Sequence, residues 1–543
     1  MQNPQQESSS TPFETTFEND YESQDPDSLA PVIGKPTSSL GAAVALWSLL
    51  LGVGMLMLAN GLQGSLLGIR ASSEGFSNTM TGVIMSAYFA GFLLGSTVAP
   101  RKLRKVGHVR TFAALASITS VCILIHAMYV VPEVWIVMRF ITGFAFAGLY
   151  VVAESWLNSQ ATNQMRGRLL AIYMVITYLG MGGGQLLLNV GNPDTYLLFI
   201  LVSVIMSLAL VPMLLSASPQ PEGAQPEAMG LLRLIRLAPL GTVGNFATGI
   251  ANGTVFGMGA VYADRAGLSL QEVSWFMGAF ILGAAILQWP LGKLSDKLSA
   301  KKVILVSSVG AIALSFGGLP LTGGSMMTMA LLGAGLGGLI LTQYSLFLAA
   351  ANNLLTTPQI ISSSGTLVLV HGAGAILGPL TAGLLMERFG ANGFLYTLAG
   401  VHILIVIVAA SVTGKPRQEL GDDEGDHPGH YVVAPSPTSP LGAAWVEEAI
   451  TEPDTGQLEF DFDADPVLEA EMEAELEAKR DAERENAEGD DVVQQIESDE
   501  GVMNDRVTGM EDDWHLDGHV DEQAQHLSEE ERRVKTEPER ESY

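Results

Sequence analysis

Two ionisable residues stand inside long apolar runs: Arg139 in WIVMRFITGF and Glu154 in LYVVAESWLN. A charge at the centre of a bilayer costs about 2.5–3.5 kcal/mol on insertion scales, so a chain that keeps one there has a use for it. The Arg139 guanidinium suits either an anionic group of a substrate or a partner on another helix. Glu154, held away from bulk water, suits either proton exchange or a structural ion pair with Arg166 or Arg168. The two are fifteen positions apart on one helix. That is about 60° of rotation and roughly 22 Å of rise, so they cannot pair directly. A third cluster, GKLSDKLSAKKV at 292–303, packs four lysines and Asp296 between two apolar runs.

The segments that must hold these residues are membrane helices. The 543 residues are 48% hydrophobic and 16% charged, which is membrane-protein composition. The net charge of −29 belongs to the ends: residues 1–38 carry −6 and residues 414–543 carry −30, leaving +7 between them. Within 39–413 twelve apolar stretches of roughly 18–25 residues are each long enough to cross a hydrocarbon core as a helix. Their expected spans are 40–66, 78–100, 109–130, 133–157, 168–190, 195–216, 236–262, 272–293, 302–322, 325–349, 364–386 and 392–413. Polar faces at a 3.6-residue period, which a soluble helical protein would need, are missing.

Lys and Arg fall sixteen to one side of the alternating loops and three (Arg70, Arg265 and Arg388) to the other. By the positive-inside rule the basic side and both termini are cytoplasmic. The first 38 residues have no basic n-region or cleavage-like site, so no removable signal peptide is expected. GKLSDKLSAKKV joins helices 8 and 9, and PRKLRKVGHVR at 100–110 joins helices 2 and 3, six helices earlier. This is an internal repeat of two six-helix halves, 39–216 and 236–413, about a central loop at 217–235.

At these residues the chain resembles the major facilitator superfamily, over essentially all of 39–413. The loop signature of that family stands here as Gly292, Leu294, Asp296, Lys297, Lys301 and Lys302, and RFITGFAFAG at 139–148 is similar to its helix-4 motif. ESWLN at 154–158, RGRLLAIYMV at 166–175, GQLLL at 184–188, QWPLGKLSD at 288–296 and GAILGPLTAGLLM at 374–386 are similar to the YcaD-like bacterial branch. The first-half loop departs from the family pattern, with Arg104 where an aspartate is expected.

The resemblance implies an all-α integral membrane fold of twelve helices in two pseudo-symmetric bundles, whose helices 1, 4, 7 and 10 line a central cavity. Their polar residues are then candidate substrate contacts: Asn60 and Gln63 on helix 1, Arg139 and Tyr150 on helix 4, Asn252 on helix 7, Gln343 and Tyr344 on helix 10. Asn245 on helix 7 is a further candidate of the same kind; Gln185, Gln288 and His371 on other helices are weaker ones, and polar bonding between helices accounts for any single amide equally well. Asp296 reads as a gate latch that opposes the helix dipole and the cations at the mouth of helix 5, Arg166 or Arg168; Lys297, Lys301 and Lys302 share the gate or simply obey the positive-inside rule.

GAGLGG at 333–338 and GMGGGQ at 180–185 lack the strand and the lysine of nucleotide-binding loops, and read as small residues that let helices approach or bend. Cys122 is the only cysteine. With no catalytic constellation, cofactor motif, metal site or nucleic-acid patch, the chain is expected not to be an enzyme. The acidic tail is expected to be mostly disordered, apart from a possible helix at 466–486 that is either solvated or a site for a cytoplasmic protein partner. The expected function is secondary transport of a small organic solute across the bacterial inner membrane by alternating access, proton-coupled, leaning to efflux because GAILGPLTAG resembles a pattern of efflux members. The alternatives are uptake of an anionic metabolite, or a transporter-like sensor signalling through its tail.

Overall fold

The computed structural model describes residues 47–160, 163–215 and 229–412. The acidic tails at 1–38 and 414–543, with the helix expected at 466–486, lie outside these residues, as do 40–46 of the first expected span.

Apolar content makes the segments helical in lipid, where every backbone polar group must be satisfied within the segment, and local chemistry sets the ends. Helix α1 is Trp47–Ser73 and α2 is Asn78–Val106, opened by the Ser77 side chain accepting from the Met80 N–H. Gly107, at φ 90°, separates α2 from α3 (His108–Met128). Next come α4 (Pro132–Gln160), α5 (Asn163–Leu186, extended by a 3-10 turn at Leu187–Val190) and α6 (Leu197–Leu208, continued by Leu210–Leu215). The second six are α7 (Pro239–Arg265), α8 (Leu270–Lys297), α9 (Ala300–Gly318), α10 (Met326–Ile340, continued by Gln343–Asn352), α11 (Thr357–Phe389) and α12 (Gly393–Ser411). A capping box of Ser269 and Glu272 opens α8, and another of Thr356 and Gln359 opens α11.

Among the described residues ten stretches are long and apolar enough to cross a membrane, and one of them, Ser362–Ser411, holds both α11 and α12. Adding α7, whose 27 residues are diluted by Gly, Thr and Asn, gives twelve. The described residues therefore form an all-helical membrane fold of twelve spans. Some helices outrun their apolar cores: α11, whose first turn is capped by Thr356 and Gln359, begins at Thr357 and not near 364, and α8 runs on through Asp296 to Lys297. The stretch read as a central loop ends in a short helix, Leu231–Leu237.

Helix α2 packs on both α4 and α11, while α5 meets α8 and α1 meets α7. Close crossing of α2 and α4 requires glycine, since a Cβ on Gly91 would meet the Phe140 carbonyl and one on Gly143 would meet that of Tyr88. In GAGLGG, Gly337 likewise lies on the Phe280 backbone of α8.

One end of the bundle carries the basic loops. At the opposite end the two six-helix sets touch. There the Ser72 hydroxyl of α1 donates to Asp264 of α7 at 2.5 Å, Arg265 donates to the Phe76 carbonyl at 3.3 Å, and the Thr79 N–H of α2 donates to Glu387 of α11 at 3.4 Å. The bundle is closed at that end.

Candidate functional site

Arg139 enters α4 in its second turn from the closed end and is 4% exposed. Its guanidinium carbon lies 4.4 Å from the centre of the Tyr88 ring, a cation–π contact made short by the glycine crossing of α2 and α4. Among the described residues its Nε has no hydrogen-bond partner. Arg139 and Tyr88 form one side of a cavity of about 80 Å³ between the two six-helix sets.

Aromatic rings supply much of the remaining wall: Phe89 and Phe92 from α2, Phe256 from α7 and Tyr344 from α10. The polar wall is Asn60, Ser65, Ser96, Gln185, Asn252 and His371. Gln185 ties α5 to α1, its Oε1 accepting from Ser65 Oγ at 2.5 Å and its Nε2 donating to the Gly61 carbonyl at 2.9 Å. His371 Nδ1 is 3.3 Å from the Asn245 carbonyl and its Nε2 is 3.5 Å from Asn252 Nδ2. The carbonyl can only accept, so Nδ1 carries the proton and Nε2 receives the Asn252 amide. The His371 ring stands edge-on to Tyr344, centroids 4.8 Å apart. The cavity therefore combines one guanidinium, amide and imidazole groups and aromatic faces, with no carboxylate among its lining residues.

Of the sequence candidates, Asn60, Arg139, Asn252 and Tyr344 meet on this wall, with the weaker candidates Gln185 and His371. Others point elsewhere. Gln63 is fully buried away from the cavity. Tyr150 donates its hydroxyl to Met57 Sδ at 3.0 Å. Gln343 donates to Ser307 and Ser308 on α9 at 3.3 and 3.1 Å. Asn245 donates to the Leu367 carbonyl at 2.9 Å, binding α7 to α11, and Gln288 accepts from Tyr178 at 3.0 Å, linking α8 to α5. Tyr88, Phe89 and Phe92 are wall residues that the focus on helices 1, 4, 7 and 10 passed over. The spacing of Tyr88, Phe92 and Ser96 at i, i+4 and i+8 in an apolar helix is the signal that marks this face of α2.

Glu154 is buried further along α4, with the Tyr173 hydroxyl donating to its Oε1 at 3.4 Å. It is not a lining residue of the cavity. Asp296 and Lys297 are exposed in the last turn of α8, and Lys302 is exposed at the start of α9. Lys301 donates to the Val412 carbonyl at 2.7 Å, satisfying the end of α12. Arg166 and Arg168 stand in the first turns of α5, and their side chains lie outside the described ones.

This arrangement has parallels among known proteins. The chain is 27% identical over 369 residues to an uncharacterized MFS-type transporter of Enterobacter sp. (strain 638), covering 68% of this chain and 95% of the relative. It is also 27% identical over 373 residues to the uncharacterized MFS-type transporter YcaD of Escherichia coli O7:K1, covering 68% and 96%. Two solved structures share its fold. The nucleoside transporter NupG aligns at TM-score 0.58 and 13% identity over 68% of this chain and 98% of that one. A bacterial homolog of the human lysosomal transporter Spinster, in an inward-facing and occupied conformation, aligns at TM-score 0.54 and 16% identity over 68% and 95%. The sequence profile of the Major Facilitator Superfamily matches residues 49–357 and again 241–451. Twelve helices, a cavity between two six-helix sets and a profile match across most of the chain lead to one conclusion: the protein belongs to the Major Facilitator Superfamily, in its YcaD-like branch.

Proposed function

We propose that this transporter carries a small organic anion with an aromatic or apolar portion, by alternating access and with protons as the coupling ion. The observation that carries the reading is Arg139: the cavity wall holds this guanidinium and no carboxylate to neutralise it, so an anionic group is the complement it lacks. The aromatic faces around it suit the rest of such a solute. The basic loops face the cytoplasm in this proposal, so the closed end faces the opposite side of the membrane. Proton coupling is assigned to Glu154, a buried carboxylate with Tyr173 beside it, on the same helix as Arg139 and apart from the cavity.

A thermal-stabilisation screen on the purified protein tests the solute class. Small aromatic acids are expected to raise Tm, their neutral amides are not, and Arg139→Gln is expected to lose the effect. Preferential stabilisation by amines or neutral compounds would overturn it. For coupling, Glu154→Gln is expected to abolish pH-driven flux while leaving solute exchange at clamped pH; equal loss of both, with poor folding, would return Glu154 to a structural role.

A further inference from the structure

On the lipid side of α2, away from the central cavity, lies a second concavity of about 400 Å³. Its floor is the small side chains of Ala87 and Ala90, and its walls are Val137 and Phe140 of α4 and Ile376 and Leu380 of α11. All of these residues lie within membrane-spanning helices, so the medium that reaches them is lipid hydrocarbon. Ser86 is the one polar side chain at its edge, and its hydroxyl donates to the Ile376 carbonyl at 2.7 Å. The lining exposes no polar surface. A transported solute with an ionised group would find no partner there, whereas a hydrocarbon chain needs none.

The groove is an open one, framed where the glycine contacts of α2 draw both neighbours in: Gly91 lies on Phe140 of α4, and Gly82 on Pro379 of α11. Larger residues on the flanking helices then stand above a floor of alanine. The volume falls within the range of sites for a single small ligand or chain. The geometry points to this groove as a binding site for one acyl chain of a bilayer lipid. Its two walls come from different six-helix sets, so a chain lying in it touches both at once. Occupancy then favours the arrangement that keeps α4 and α11 at this separation, the one closed at the end opposite the basic loops.

The test uses the full-length protein in nanodiscs of phosphatidylethanolamine and phosphatidylglycerol, doped with phosphatidylethanolamine bearing a diazirine in one acyl chain. After irradiation, adducts are mapped by peptide mass spectrometry. Adducts at Val137, Phe140, Ile376 and Leu380 are expected to exceed several-fold those at Val306 and Leu331, which are 65% exposed, and to saturate as the probe fraction rises. Ala87→Phe, or the milder Ala90→Val, is expected to remove most groove adducts and leave those at Val306 and Leu331 unchanged. Because saturation is read on the unmodified chain, a variant that fails to fold does not spare the proposal. Even, non-saturating labelling overturns it, as does displacement of the probe by a transported organic anion or cross-linking of the groove to a second copy.

Discussion

Arg139 differs from an ordinary buried cation in lying over an aromatic ring while its Nε lacks a partner among the described residues. Lysine would keep the charge and lose the planar fork of donors. Arg139→Lys is accordingly expected to raise KM for the anionic solute by roughly tenfold, or about 1.4 kcal/mol, with kcat changed less. Flux kinetics in proteoliposomes check this, and kinetics matching the parent would show that the guanidinium plane is unused. Arg139 was legible because a charge in an apolar run stands out from sequence alone. Tyr88 was not, since a tyrosine in a membrane helix costs little and its value here comes from a neighbour 51 positions away. The amides fall between these cases. Asn60 lines the cavity while Gln343 bonds to α9, and only the placement of neighbouring helices decides which way an amide turns.

Helices were the most legible part of the molecule, because apolar length alone separates them from loops. Their ends were less so. The caps at Thr356 and Ser269 keep polar turns helical beyond the hydrocarbon, and a hydropathy reading stops short of them. The contact between the ends of α1 and α7 was not legible at all, since Ser72 and Asp264 are 192 positions apart and neither stands in a motif. That contact belongs to the closed end. Ser72→Ala is expected to favour opening there, by about fivefold in the state ratio for each 1 kcal/mol removed. Asp296→Asn, at the basic end, is expected to shift the equilibrium toward opening on its own side. Labelling rates of a single cysteine in each half of the cavity read both shifts, and unchanged rates in a variant that inserts normally would deny that residue a gating role.

For the molecule as a whole, the charge bias of the loops predicts that cysteines placed near 263 and 388 react with impermeant reagent from outside, and one near 225 only from inside. Cys122, the only native thiol, is buried and gives little background. The opposite pattern would invert the orientation. Deleting 418–543 is expected to leave flux intact; loss of flux with normal insertion would favour a signalling or regulatory tail. Helix α2 of the first set packs both within its own set and across to the other, meeting α4 at Gly91 and α11 at Gly82 through backbone atoms. This bears on how the protein can evolve. A side chain added at either glycine collides with a main-chain carbonyl, and no replacement at Phe140 or Pro379 can make that carbonyl smaller. Suppressor genetics should therefore fail to find compensation at the facing residue. Revertants of a Gly91→Val or Gly82→Val defect should restore glycine, or lie at distant sites that let a whole helix slide.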